Sequence, residues 1–227
     1  MHFEIPGRRA LRLAAGLIIG VALSAPVCAA EMREFINETQ QSASVSQQVT
    51  MAWWIPQEFW DVSLTNNPSV SPKTAGDIRA IFHDYQVFAL FRGTVGLQGL
   101  TGVATTADLL TNSRFQIGDK TILPIDPDKV PTGVQAMLGA MRPMLSGLLG
   151  QFGQSMELIV YPAVADGRRL NDPLKPGAFQ FTLYDQTFHW RLPLASLLPK
   201  KLDPKSREEF PGNYQFNPYT GDKLSVK

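Results

Sequence analysis

The residues of this chain that could do acid–base chemistry are few and scattered. Beyond its N-terminal region it has two histidines, His83 and His189. A histidine beside a carboxylate is the commonest acid–base unit near neutral pH. His83 is followed by Asp84, and Asp126-Pro127-Asp128 places two more carboxylates in one loop. Each has a plainer explanation. His83 falls near the end of an expected helix, where an imidazolium interacts favourably with the helix dipole. His189 sits between Phe188 and Trp190 in a strand pattern. Asp126 and Asp128 fit a solvated turn ahead of Pro131. Asp166-Gly167-Arg168-Arg169 is a turn first and an anion site a distant second. No G-x-S-x-G elbow or S-x-x-K pair nominates a nucleophile. No catalytic residue is therefore expected.

Metal and phosphate chemistry fare no better. Met137, Met141, Met144 and Met156 could hold a soft metal through thioethers, but they share a helical face with Leu and Phe, where methionine fills cores. Gly93, Gly96, Gly99 and Gly102 recur at intervals of three without a GK[ST] signature, so they read as turns or loose edge strand. The single cysteine, Cys28, lies in the N-terminal region. No metal and no cofactor is expected. The best interaction candidates are Trp53, Trp54, Phe59 and Trp60, since tryptophan is enriched both at binding hot spots and in cores. Adjacent Trp53 and Trp54 point to opposite sides of an extended segment, so one of them should be exposed or covered by another element.

The elements that would carry these residues follow a leader. Arg8, Arg9 and Arg12 precede the uncharged apolar run Leu13–Ala25, and Pro26 and small residues lead to a cut expected after Ala30. Residues 1–30 thus read as a secretory signal peptide, and the mature protein is expected in the periplasm or secreted. A twin-arginine signal at Arg8-Arg9 stays open as an alternative, although Arg12 stands where an apolar residue is usual. Lipidation at Cys28 is disfavoured by the bulk of Val27. Cleavage removes three Arg and one Glu and takes the formal charge from +1 to −1. That balance gives no electrostatic case for nucleic acid, and no membrane span is expected after cleavage.

Residues 37–50 are polar and rich in Gln and Ser, the composition of a flexible tether, and the tether is expected to span 31–50. Helices are expected at 56–65 and 72–84, the second with Ser71 as N-cap and Pro72 at its first position. A short helical stretch follows near 106–113. The apolar stretch 131–156 should be helical and kinked or divided at Pro143. Strands are expected at 86–92, 157–162, 177–184 and 187–192, the last two joined through Asp185-Gln186, with a hairpin around Gly118-Asp119. The expected fold over 51–199 is α+β: an antiparallel sheet with helices on one face.

Residues 200–227 carry the one family resemblance. Asp203-Pro204-Lys205-Ser206 and Asn217-Pro218-Tyr219-Thr220-Gly221 repeat one spacing across a short hairpin, and Leu224 follows. This resembles a zinc ribbon, in which C-P-x-C and C-P-Y-C-G supply four thiolates. The resemblance implies a small two-turn hairpin with ligand positions 203, 206, 217 and 220, and all four are substituted. One carboxylate, two hydroxyls and an amide lack the charge and softness that hold zinc. A metal-free ribbon-like hairpin is therefore expected. The functional expectation is a non-enzymatic binding or scaffolding module of the cell envelope with an envelope protein partner. The alternative is a periplasmic hydrolase or small-ligand-binding enzyme using His83 or His189.

Overall fold

The computed structural model describes residues 26–65 and 70–226. The signal expectation for residues 1–25 lies outside the described residues, and the expected cut after Ala30 falls within the first helix. That helix, α1 (Pro26–Thr39), runs directly into strand β1 (Gln40–Val45), which turns back as β2 (Gln48–Ile55). The flexible tether expected at 31–50 is thus ordered structure. Its polar composition has another cause. β1 is an edge strand paired only with β2 and is half exposed, so it has little apolar surface to bury. What fixes the segment is Phe35, fully buried, and Thr39, whose hydroxyl donates to Phe35 O and accepts the Trp53 indole N–H at 3.1 Å.

Helices α2 (Glu58–Thr65) and α3 (Pro72–Ile81) follow close to expectation. Ser71 Oγ accepts the Thr74 N–H, and Pro72 occupies the first turn. β3 (Tyr85–Gly96) pairs with β2 along its length and bends through Gly99 into β4 (Gly99–Thr101). Gly99 has φ +94°, a conformation that L side chains rarely adopt, so this glycine is required by the turn. After α4 (Thr106–Thr111), held by a Thr105/Asp108 capping box, come β5 (Ser113–Ile117) and β6 (Lys120–Ile122), the expected hairpin.

The long apolar helix α5 (Thr132–Leu149) continues through Pro143, so of the expected kink or division at that residue the division does not occur. The break comes at Gly150, φ +58°, after which α6 (Gln151–Gln154) folds back on α5. Gly153 allows that return, since a Cβ there would lie 1.9 Å from Leu145 O. β7 (Glu157–Pro162) adds to the far side of β3, completing a five-stranded antiparallel sheet. A small ladder of β8 (Val164–Ala165) and β9 (Arg168–Arg169) precedes β10 (Gly177–Leu183) and β11 (Gln186–Leu192). The β10–β11 turn is Tyr184-Asp185, one residue earlier than expected, with Tyr184 at φ 56°. β11, β10, β5 and β6 form a second, four-stranded sheet.

The fold class is α+β, as expected, but it contains two stacked sheets. Trp54 and Phe88 are cross-strand partners on one face of the first sheet. That face meets the second: Phe88 stacks on Phe181 at 4.3 Å, and Trp54 meets Phe179 edge-on at 4.7 Å. The opposite face meets helices, with Trp53 against Phe59 of α2 and Phe91 against Phe152 of α6. Covered on both sides, residues 51–55 of β2 read MAWWI with no polar alternation. A last three-stranded unit, β12 (Lys201–Leu202), β13 (Glu209–Phe210) and β14 (Ser225–Val226), closes the chain in the order β13-β12-β14.

Candidate functional site

The aromatic surface expected at Trp53, Trp54, Phe59 and Trp60 is not on the surface. The four side chains are 1, 0, 3 and 2 % exposed. Trp53 and Trp54 do point to opposite sides, and each side has a cover. Trp60 stacks on Phe82 at 4.3 Å, and the Trp54 indole donates to Gln86 Oε1 at 2.7 Å, an oxygen that also accepts from Asn171. These residues join the layers and cannot meet a partner in the folded chain.

The two histidines are apart from any shared machinery. His83 Nδ1 lies 2.7 Å from Asp84 Oδ1, both largely exposed. His189 lies on the outer face of β11, and its backbone N–H and C=O both engage the side-chain amide of Gln41. Gln41 thereby spans the edges of the two sheets. Asp126 Oδ1 accepts the Asp128 N–H within a turn, which explains that pair structurally. Arg169 forms an ion pair with Glu58 and so serves the fold. Met141 and Met156 are buried, and Met137 and Met144 pack against the same core. Among the described residues, no three His, Cys, Asp or Glu side chains assemble as metal ligands.

Two features remain beside each other at the C-terminal end. The first is a cleft of about 810 Å³ between α1, α2, residues 195–200 and the final unit. Glu34, Glu38 and Asp61 face it from the helices and Lys200 from the opposite wall. Glu38 is committed: its two carboxylate oxygens accept the Ala195 and Ser196 N–H groups at 2.7 and 2.8 Å. Asp61 pairs with Arg79, and Lys200 lies 3.7 Å from Glu34. Neither histidine lines this cleft.

The second feature is the ribbon-like unit itself. Tyr219 is 82 % exposed, Phe216 55 % and Tyr214 41 %. Its own interior is Phe210 and Leu224, with little apolar material to cover further rings. The unit is nevertheless held firmly. Gly212 sits so close to the main domain that a Cβ would lie 2.4 Å from Leu198 Cβ. Lys201 Nζ donates to Tyr214 O at 2.6 Å, and Lys205 pairs with Asp222 at 2.8 Å. The sequence signal for these exposed rings was present: aromatics at 214, 216 and 219 inside a short segment dense in Pro, Gly and charge.

The two turns of this unit are alike bond for bond. In the first, Asp203 Oδ1 accepts the N–H groups of Lys205 and Ser206 at 2.8 and 3.0 Å. In the second, Asn217 Oδ1 accepts those of Tyr219 and Thr220 at 2.9 and 3.3 Å. Asp203 O accepts from Arg207, and Asn217 O from Gly221. Ser206 Oγ accepts from Glu208, and Thr220 Oγ1 from Asp222. Arg207 and Gly221 both have positive φ, 63° and 77°. The turns join where Asn217 Nδ2 donates to Asp203 Oδ2 at 2.6 Å, with Asp203 1 % and Asn217 3 % exposed. These bonds hold the Asp203 carboxyl below the usual carboxylate range, chiefly through Asn217 and then the backbone donors.

Compared with protein-family models, curated proteins and solved structures, the chain matches none. No helix among the described residues is long and apolar enough to cross a membrane.

Proposed function

We propose that this is an exported envelope protein that binds or scaffolds another protein, with the C-terminal ribbon as its contact surface. The observation that carries this reading is the exposure of Tyr214, Phe216 and Tyr219 on a unit anchored to a two-sheet core. Rigid, exposed aromatics supply large contact area at low entropic cost. The partner surface is the exposed ring set of the ribbon and not the buried tryptophans. The absence of an S-x-x-K or G-x-S-x-G nucleophile signature, and the separation of the histidines from the acidic cleft, favour it over a hydrolase.

The test is crosslinking and affinity capture of the full chain from its native host. A stoichiometric envelope protein should be captured by wild type and lost on Tyr219→Ala with Phe216→Ala, while thermal stability is unchanged. Capture that survives both substitutions would refute the ribbon surface. The cleft supports one rival, a small-ligand-binding protein. Stabilisation by a small cationic solute, lost on Glu34→Gln and retained in the ribbon variant, would favour that rival.

A further inference from the structure

We infer that the buried Asp203–Asn217 hydrogen bond does the structural work a metal ion does in a zinc ribbon, which makes this ribbon metal-independent and specific for one carboxylate–amide pair. The resemblance implies four ligands at 203, 206, 217 and 220, and the side chains present do not fit an ion. Asp203 Oδ1 already accepts two backbone N–H groups and Oδ2 accepts the Asn217 amide. Asn217 Oδ1 likewise accepts two, and its Nδ2 points at Asp203, so the centre holds a donor where a cation would need lone pairs. The remaining positions bring only hydroxyls, each accepting one N–H.

The two-fold likeness of the turns gives the claim a sharp consequence. Either turn satisfies an oxygen with the same two N–H donors, so carboxylate and amide are interchangeable provided that one of each is present. Asp203→Asn alone sets two amide N–H₂ groups against each other. Asn217→Asp alone sets two buried carboxylates at a separation now 2.6 Å. The pair of substitutions together restores one donor facing one acceptor, with the polarity reversed.

The experiment is native-state amide exchange over residues 201–226 in the full chain carrying Cys28→Ser, with and without EDTA. Each single variant should speed exchange in the ribbon roughly tenfold or more, and the double variant should recover most of that loss, because directly bonded partners couple strongly. EDTA should change nothing. A double variant no better than the worse single, or wild-type protein that takes up one zinc ion and loses protection with EDTA, would overturn the inference. A second variant avoids dependence on the swap: Asp203→Cys, Ser206→Cys, Asn217→Cys and Thr220→Cys combined should bind one Co²⁺ with the visible bands of a tetrahedral thiolate site. A folded four-cysteine chain without those bands would show that the four positions do not converge.

Discussion

Trp54→Ala discriminates between a tryptophan that packs and one that binds a partner. Trp54 is fully buried between the two sheets, edge-on to Phe179, and its indole N–H donates to Gln86 Oε1. Truncation opens a cavity between layers pinned by β2–β3 pairing on one side and β10–β11 on the other, so collapse is restricted. The cost for a buried tryptophan in such a site is about 3–5 kcal/mol. The Gln86 oxygen keeps Asn171 as a donor, so no polar orphan adds to this. Against a total stability of about 5–15 kcal/mol, the variant loses roughly a fifth or more of its margin. With a urea slope of about 2 kcal/mol/M, the midpoint should fall by about 1.5–2.5 M. Urea unfolding followed by circular dichroism, with Trp54→Phe as a milder control at about 1–2 kcal/mol, measures this. A midpoint change under about 0.5 M for Trp54→Ala, together with lost partner capture, would refute the burial argument and return the tryptophan to the surface.

Two further outcomes follow from single side chains. Burial pushes the Tyr161 phenol up to about 12, against 10.0 ordinarily, with the Ser113 hydrogen bond opposing it. The unfolded chain then loses that proton first as pH rises, so the contribution of Tyr161 to stability is flat below pH 10 and falls between about pH 10 and 12, by up to about 1.4 kcal/mol per pH unit. Urea midpoints across that range should show the slope, and Tyr161→Phe should reduce it. Glu38→Gln keeps one acceptor for the Ala195 and Ser196 N–H groups and removes the charge, so it should cost about 1–2 kcal/mol and raise amide exchange at 195–196. Unchanged exchange there would separate α1 from the ribbon-bearing segment.

Much of this architecture was legible because it is local. Ser71-Pro72 starts a helix by satisfying one N–H and needing none at the next position, whatever surrounds it. The Gly118-Asp119 hairpin and the strands at 86–92, 157–162 and 177–192 depend on turn chemistry and side-chain shape over a few residues. The ribbon turns were legible for the same reason, since each bond in them spans five residues or fewer. Three things were not local. A polar segment becomes an edge strand only when β2 and the Gln41–His189 bridge are there to receive it. A helix passes through Pro143 when Val134, Leu138, Met141 and Leu145 are buried along its length, and breaks where Gly150 and Gly153 allow the chain to return. The fate of Trp54 depended on a second sheet whose contacting residue, Phe179, lies more than a hundred residues away in sequence, and that of Trp53 on the packing of α1 and α2 against the other face. Alternation set their opposite directions in β2, and only the packing of helices on one face and a second sheet on the other decided that both directions lead into the core.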